Sequence, residues 1–392
     1  MRHGSANMST GEGPPPGRRR VVLCLAACAV AAVLYFGLHP HGYDFSNHAS
    51  WEAGGAGLRF EKYGMALARL DSGLVERVRT REGFSILLVV HPKQAGSGGS
   101  GHILTLHGGS DAQQLVVWQW SSHIIAMNDT DYAQRRKVGR VSARIPAPPR
   151  QAMVLALTAG RGGTTLYADG QAVASNRSLL LHFPAGRDTL LVLGNSVYGD
   201  EPWQGTVAGL ALFDRELEPG SVASLYDSWA GTGSLASAGG RNPAALYLFT
   251  EKGGSRVFDA AGGAQPLDIP RRVTPPRRKM LAGVPGDAGP PGGLARDALL
   301  NVAGFLPVGF LCTAALGLSG RASGGRAAAG AVLFCFALSL TIETLQGWIP
   351  SRSSQMTDLI LNTAGAIAGA FAAVLGAPRL IWGWSEPAPP AE

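Results

Sequence analysis

The stretch Ser339-Leu-Thr-Ile-Glu343-Thr-Leu-Gln346-Gly-Trp-Ile-Pro350-Ser-Arg352-Ser-Ser-Gln-Met-Thr-Asp358-Leu-Ile-Leu-Asn362 joins two long apolar runs, 327–349 and 357–377, and gathers their strongly polar residues around one turn. A third apolar run, 298–318, opens on Asp297 and Asn301. At roughly 1.5 Å per helical residue, each run is long enough to cross a hydrocarbon core about 30 Å thick. Polar side chains at membrane depth are costly unless they meet one another, a partner or water, so a converging set marks a candidate site. Glu343 and Gln346 are three residues apart and Asp358 and Asn362 four apart, spacings that put each pair on one helical face. The expectation is an α-helical membrane bundle that is polar at one end.

Outward from this turn, a fourth apolar run covers Val21 to Leu38, 18 uncharged residues preceded by Arg18, Arg19 and Arg20. Residues 1–20 read as a disordered tail, kept in the cytoplasm by those arginines. Leu25-Ala26-Ala27-Cys28 matches a lipoprotein cleavage box, but the run continues to Leu38, so a plain span is the reading. With the amino terminus inside, the chain crosses four times and ends in a cytoplasmic tail, 378–392. Arg321, Arg326 and Arg379 then lie on the cytoplasmic side. Asp297, Asn301, Glu343, Gln346, Arg352, Asp358 and Asn362 all fall toward the outer leaflet and form one polar cluster. Arg352 is the natural counter-charge for Glu343 or Asp358 and could otherwise meet a lipid phosphate or a carboxylate ligand. Two roles stay open for the cluster: a buried network that fixes helix order, or a pocket that binds a ligand or handles protons.

Between the first and second spans, the roughly 220 residues from Asn47 to Pro270 hold no spanning segment. Their pattern is short β-branched and aromatic runs separated by glycine turns. Strands are expected at Phe84–Lys93, His102–His107, Leu115–Trp120, Ile124–Asn128, Met153–Thr158, Thr164–Ala168, Thr189–Leu193 and Thr206–Phe213. Asp169-Gly170 between Thr164–Ala168 and Gln171–Ala174 signals a hairpin, because its turn needs positive φ. Many strands without intervening helices predict an antiparallel sandwich over residues 48–235. Short strands (Ala245–Phe249, Arg256–Ala260) and a Pro/Gly/basic linker are expected over 236–293. Trp118 and Trp120 alternate onto one face. With Asp200 and Trp203 they are candidate ligand contacts, core packing being the competing role for the tryptophans. Asn128, Asp129, Asp131 and Glu201 are further loop-edge candidates for a calcium or sugar site.

Two resemblances follow. Leu191-Val-Leu-Gly-Asn195, Trp203-Gln-Gly-Thr-Val-Ala-Gly-Leu-Ala-Leu-Phe-Asp-Arg-Glu-Leu217 and Val222-Ala-Ser-Leu-Tyr226 resemble the closing strands of a laminin-G/concanavalin A-like jelly roll, a fold that often binds glycans or proteins. Asp297-x3-Asn301, Phe305-Leu-Pro-Val-Gly-Phe310, Ser339-x3-Glu343-x2-Gln346, Pro350-x-Arg352 and Asp358-x3-Asn362-x2-Gly365-x3-Gly369 resemble the VanZ-like membrane family. That resemblance implies that these residues matter and supplies no reaction; the family's founding member is linked to low-level teicoplanin resistance. Together they imply a jelly roll inserted in a helical transmembrane bundle of four spans.

Composition bounds the function. Charged residues make up 16% of the chain and the net charge is +7, with basic clusters at Arg18–Arg20 and at Arg271, Arg272, Arg277, Arg278 and Lys279. No nucleic-acid motif surrounds them, so membrane lipids are the expected partners. All four cysteines, Cys24, Cys28, Cys312 and Cys335, fall in the spans, so the sheet domain holds no disulfide. It also lacks the Glu-x-Asp-x-Glu carboxylates used for glycoside hydrolysis in this fold. No cofactor or metal is implied. The expected protein sits in the bacterial plasma membrane, with an external jelly roll meeting an envelope glycan, a protein or a lipid-linked precursor. A membrane enzyme or carrier acting on lipid-linked phosphates is the alternative, in which Glu343 and Asp358 act as an acid/base pair or hold a hard cation.

Overall fold

A computed structural model describes residues 16–40, 44–93, 100–129, 137–145, 152–184, 186, 188–278, 280–281, 291–319, 324–349 and 352–380. The chain divides into two compact units, residues 1–42 with 277–392, and residues 43–276.

In chain order the elements begin with α1 (Pro16–Leu38), β1 (Ala49–Trp51), β2 (Leu58–Phe60), β3 (Ala66–Arg69), α2 (Ser72–Arg81), β4 (Phe84–Pro92) and β5 (Ser100–His107). Next come β6 (Gln114–Trp120), β7 (His123–Asn128), β8 (Arg140–Arg144), β9 (Met153–Gly160), β10 (Gly163–Ala168), β11 (Gln171–Asn176), β12 (Leu190–Leu193) and β13 (Gly205–Phe213). The chain closes with α3 (Pro219–Thr232), β14 (Ala245–Tyr247), β15 (Arg256–Val257), β16 (Leu267–Asp268), α4 (Pro291–Leu318), α5 (Gly324–Gln346) and α6 (Met356–Leu380).

The sheet unit is the expected antiparallel sandwich. One sheet runs β1-β2-β13-β4-β9-β10-β11, with β14 beside β13, and the other runs β15-β16-β3-β12-β5-β6-β7-β8. The strands β14–β16 therefore complete both sheets from within the segment read as short strands and linker. Alternate residues of the two inner faces, among them Phe60, Ile86, Leu88, Leu157 and Leu210 against Leu104, Leu106, Val117, Ile124 and Leu193, form the core. The opposite face of the first sheet is also buried. Leu87, Val89, Ala156, Ala211 and Phe213 meet Val222 and Leu225 of α3 and the turn around Leu235 and Ala238. Burial on both faces explains why β4 reads as a continuous apolar run. The hairpin at Asp169-Gly170 forms as expected, with φ of 49° and 77° and Ala168 opposite Gln171. Alternation did not reveal α2. Its start is fixed by Asp71, whose carboxylate accepts the N–H groups of Gly73 and Leu74 at 2.8 and 3.3 Å.

Where the chain enters and leaves this unit, the two segments are bound together. Asn47 Nδ2 donates to Met65 O (2.7 Å) and Pro270 O (2.8 Å), while its Oδ1 accepts from Met65 N (2.8 Å) and Ala49 N (3.1 Å). Asn47 N also donates to Arg271 O, and Val273 N to Phe45 O.

Among the described residues, the other unit holds four helices long and apolar enough to cross a membrane. α4 and α6 run in the same direction and touch through backbone: a Cβ on Gly365 would lie 2.3 Å from Val302 O, on Gly369 2.0 Å from Leu306 O, and on Gly309 2.2 Å from Ala366 O. α5 runs against α6, with Ser339 bonded to Asn362. α1 runs with α5, Gly37 lying against Ile342, and against α4, Val22 packing near Ala314 and Leu318. α5 ends at Gln346, three residues before the apolar run does.

His102, on β5, is buried, with Nδ1 2.9 Å from Thr105 Oγ1, which donates to Asn195 O at 3.0 Å. Burial pushes the imidazole pKa down to about 4, only partly opposed by Asp200. The unfolded chain therefore takes up a proton below the ordinary value of 6.5 that the folded domain refuses. Stability is full above about pH 6.5 and falls toward pH 4, by on the order of 3 kcal/mol. Urea unfolding of the full chain in detergent should show this loss, and His102→Gln should flatten it.

Candidate functional site

The polar residues of the bundle collect where α1 and α5 end and α4 and α6 begin. Helix ends leave backbone groups unpaired, and in a membrane those groups need partners from the protein. Arg352, in the turn after α5, donates from Nε to His39 O (3.2 Å) and from Nη2 to His39 O (3.0 Å) and Phe36 O. Gln346 Nε2 donates to Gly37 O at 2.8 Å. Three carbonyls at the end of α1 are thus held by two side chains from α5 and its turn. The pairing of Arg352 with Glu343 or Asp358 expected from charge does not form among the described residues, because the guanidinium is directed to carbonyls. Burial lowers the Arg352 pKa from its usual value, and a guanidinium remains charged at neutral pH.

Glu343 serves the opposite kind of helix end. It is 1% exposed, and its Oε2 accepts the N–H of Gln355, immediately before α6, at 2.8 Å. A carboxylate at a helix N-terminus also meets the favourable end of the helix dipole. Asp358, in the first turn of α6, accepts from Asn301 Nδ2 of α4 at 2.8 Å. Asn362, one turn deeper, donates to Ser339 Oγ of α5 at 3.0 Å. Gln346 Oε1, buried on the face that carries Glu343, has no hydrogen-bond partner among the described residues. Asp297 lies in α4 with its side chain outside the described residues, as do Pro350, Trp382 and Trp384. Trp348 is exposed beside this end, with the Arg277 guanidinium 3.4 Å from its ring centroid.

In the sheet unit the candidates separate. Trp118 and Trp120 share the outer face of the second sheet, as alternation predicts, with ring centroids 6.2 Å apart at 29°. Trp118 is 7% exposed and donates from Nε1 to Ser100 Oγ at 3.0 Å, whereas Trp120 is 54% exposed. Of the two roles open to Trp203, it takes core packing: it is 2% exposed, beside Phe60, with Nε1 donating to Gln119 Oε1 at 2.7 Å. A fully enclosed ring offers no surface to a sugar. Asp200 accepts from the Ser196 hydroxyl, and Glu201 N donates to Asn195 Oδ1, so both residues shape the loop before Trp203. Asn128 joins two segments, donating to Gln114 O and His182 O and accepting from His182 N. Asp129, at φ 68°, donates from its backbone N to Gln114 O, and Asp131 lies outside the described residues. Sequence reasoning missed Asn47, Ser339 as the partner of Asn362, and a polar hollow lined by Glu52, Arg59, His91, Lys93 and Thr206.

Residues 267–377 match the family model VanZ/LLP1, and residues 73–223 match the model of the concanavalin A-like lectin/glucanases superfamily. No curated protein matches the chain. Among solved structures, the binding domain of botulinum neurotoxin DC in complex with rat synaptotagmin II is 10% identical, with a TM-score of 0.37 over 48% of this chain and 47% of that one. The Ruminococcus gnavus IT-sialidase CBM40 bound to alpha2,3 sialyllactose is 10% identical, with a TM-score of 0.34 over 44% of this chain and 97% of that one. The chain spans about half the length of the neurotoxin domains it matches. It thus joins a VanZ-like membrane part to a concanavalin A-like sheet domain.

Removing Arg352 leaves the carbonyls of Phe36 and His39 unpaired. Arg352→Ala should lower stability in detergent by about 2 kcal/mol or more, and Arg352→Lys should restore only part of it. Glu343→Gln keeps an acceptor for Gln355 and should cost about 1 kcal/mol, less than Glu343→Leu. Thermal unfolding of the purified full chain checks all four variants.

Proposed function

We propose that the chain is a plasma-membrane protein of the bacterial envelope whose concanavalin A-like domain binds a glycan on the outer side. The observation that carries this reading is the superfamily match over residues 73–223, joined to the exposed Trp120 ring backed by Trp118. An aromatic face supported by a second ring suits stacking on the apolar face of a sugar. The sheet domain's sequence carries no Glu-x-Asp-x-Glu arrangement of the kind glycoside hydrolysis in this fold uses, which favours binding over cleavage. Wall or capsule-type polysaccharide and its lipid-linked precursors are the ligand class that meets both an external sheet domain and an outer-leaflet helix end. An effect on glycopeptide (teicoplanin) susceptibility would arise at that step.

Sidedness rests on charge. Arg18–Arg20, Arg321, Arg326 and Arg379 cluster at one set of span ends, which the positive-inside tendency assigns to the cytoplasm. The ends bearing Glu343, Arg352 and Asp358 then face outward, as do both connections to the sheet domain. A second reading, a membrane enzyme or carrier for lipid-linked phosphate or glycan precursors, draws on one observation: the unpartnered Oε1 of Gln346 on the face of Glu343. In that reading Glu343→Gln abolishes turnover of a lipid phosphate at unchanged protein level.

Reporter fusions at residues 45 and 200 should report an external location, and fusions at 323 and 390 a cytoplasmic one; a cytoplasmic signal at 200 overturns the assignment. On a glycan array probed with the full chain in nanodiscs, Trp120→Ala should weaken the strongest signal from an uncharged glycan about tenfold.

A further inference from the structure

At one end of the first sheet, the β1–β2 turn, the end of β4 and the start of β13 enclose a hollow of about 470 Å³, within the size range of small-ligand sites. Its polar groups are of two kinds. Glu52 is fixed: its carboxylate lies 3.4 Å from Arg59 Nε and accepts the Thr206 hydroxyl at 2.9 Å. A held carboxylate and a hydroxyl are the groups that bind sugar hydroxyls directionally. Arg59, His91 and Lys93 supply the second kind. Arg59 and Lys93 are about half exposed and remain reachable, and Lys93 reaches Glu61 only at 3.6 Å. His91 is exposed at the end of β4, and partial desolvation lowers its imidazole pKa from the ordinary value, which favours the neutral ring with one donor and one acceptor nitrogen. Gly55, Ala56, Pro92 and Gly205 line the rest, with Gly205 packed directly against the Trp203 ring.

We infer that this hollow binds an acidic saccharide, its carboxylate on Arg59 and Lys93 and its hydroxyls on Glu52, Thr206 and His91. The inference rests on the reading of the sheet domain as glycan-binding, and it adds a site and a chemical class to that reading. It places the specific contacts away from Trp120, which lies on the second sheet. The Nε–Nη2 edge of Arg59 already faces Glu52, so the ligand carboxylate takes charge-assisted bonds from the remaining guanidinium N–H groups, and Lys93 adds a point charge at the rim. Neutral sugars would use only the hydroxyl contacts and bind more weakly.

Isothermal titration of the full chain in nanodiscs of zwitterionic lipid tests this, with digalacturonate as ligand and digalactose as its neutral counterpart. The expected result is at least tenfold tighter binding of digalacturonate, weakening with salt. Arg59→Ala and Lys93→Ala should each lose roughly tenfold, and Trp120→Ala should leave that affinity in place. Both charges are exposed, and Lys93→Glu at the rim provides a variant that leaves the Glu52–Arg59 pair intact. If digalacturonate binds and only Trp120→Ala removes it, the hollow is wrong and the glycan reading survives. Equal affinity for the neutral disaccharide overturns the acidic class. Absence of binding by any saccharide, on the array as well as in titration, overturns the site and the glycan reading together.

Discussion

The carbonyls at the end of α1 set the constraint on which the membrane unit depends. A helix that stops at a bilayer boundary exposes its last carbonyls where water is scarce, and each one left unpaired is expensive. Arg352 and Gln346 satisfy Phe36, Gly37 and His39 from α5 and its turn. Glu343, three residues before Gln346, satisfies the opposite problem at the start of α6. A cation therefore sits at a carbonyl end and an anion at an N–H end, each matched to the local helix dipole. Acid and base need not pair with each other to be stable at this depth.

One consequence concerns α1. The VanZ/LLP1 match begins at residue 267, so it does not include α1. Yet residues inside the matched segment close the end of α1, and Ala29, Val30, Val33 and Leu34 pack with Phe305, Val308 and Ile342. The bundle is a four-helix structure whose first helix is separated in sequence from the other three by the whole sheet domain. Within the inserted domain, the first and last segments are neighbours, Asn47 bonding to Met65 and to Pro270, residues far apart in sequence.

Spans and strands were legible because they rest on local rules. Hydrophobic length marks α1, α4, α5 and α6, and Asp169-Gly170 marks its hairpin through the positive φ that both residues adopt. Spacing also placed the polar cluster at one bundle end, since i+3 and i+4 offsets fix a face without knowledge of the partner. Partners were another matter. Arg352 reads as a counter-charge because sequence displays carboxylates and hides carbonyls. For Trp203 the sequence leaves ligand contact and core packing both open, and the ring turns inward to Phe60 and Gln119. Asn47 carries no sequence signal, as its value lies in a neighbour 223 residues away.

The layering of the sandwich decides where a ligand has room. β4, β9 and β13 are buried on both faces, by the inner core on one side and by α3 and the Leu235 turn on the other. Their flat surfaces are closed, so chemistry contributed by this sheet must come from its rim. The rim is where β13 bulges between Val207 and Gly209 and where the β1–β2 turn projects Glu52. On the outer face of the second sheet Val116, Trp118, Ile125 and Met127 are likewise buried, and Trp120 at their border is exposed. The first sheet thus offers charged and hydroxyl-bearing groups at its edge, and the second an exposed aromatic ring at the end of β6. The two places differ in chemistry, since stacking on a ring is indifferent to charge and a guanidinium is not.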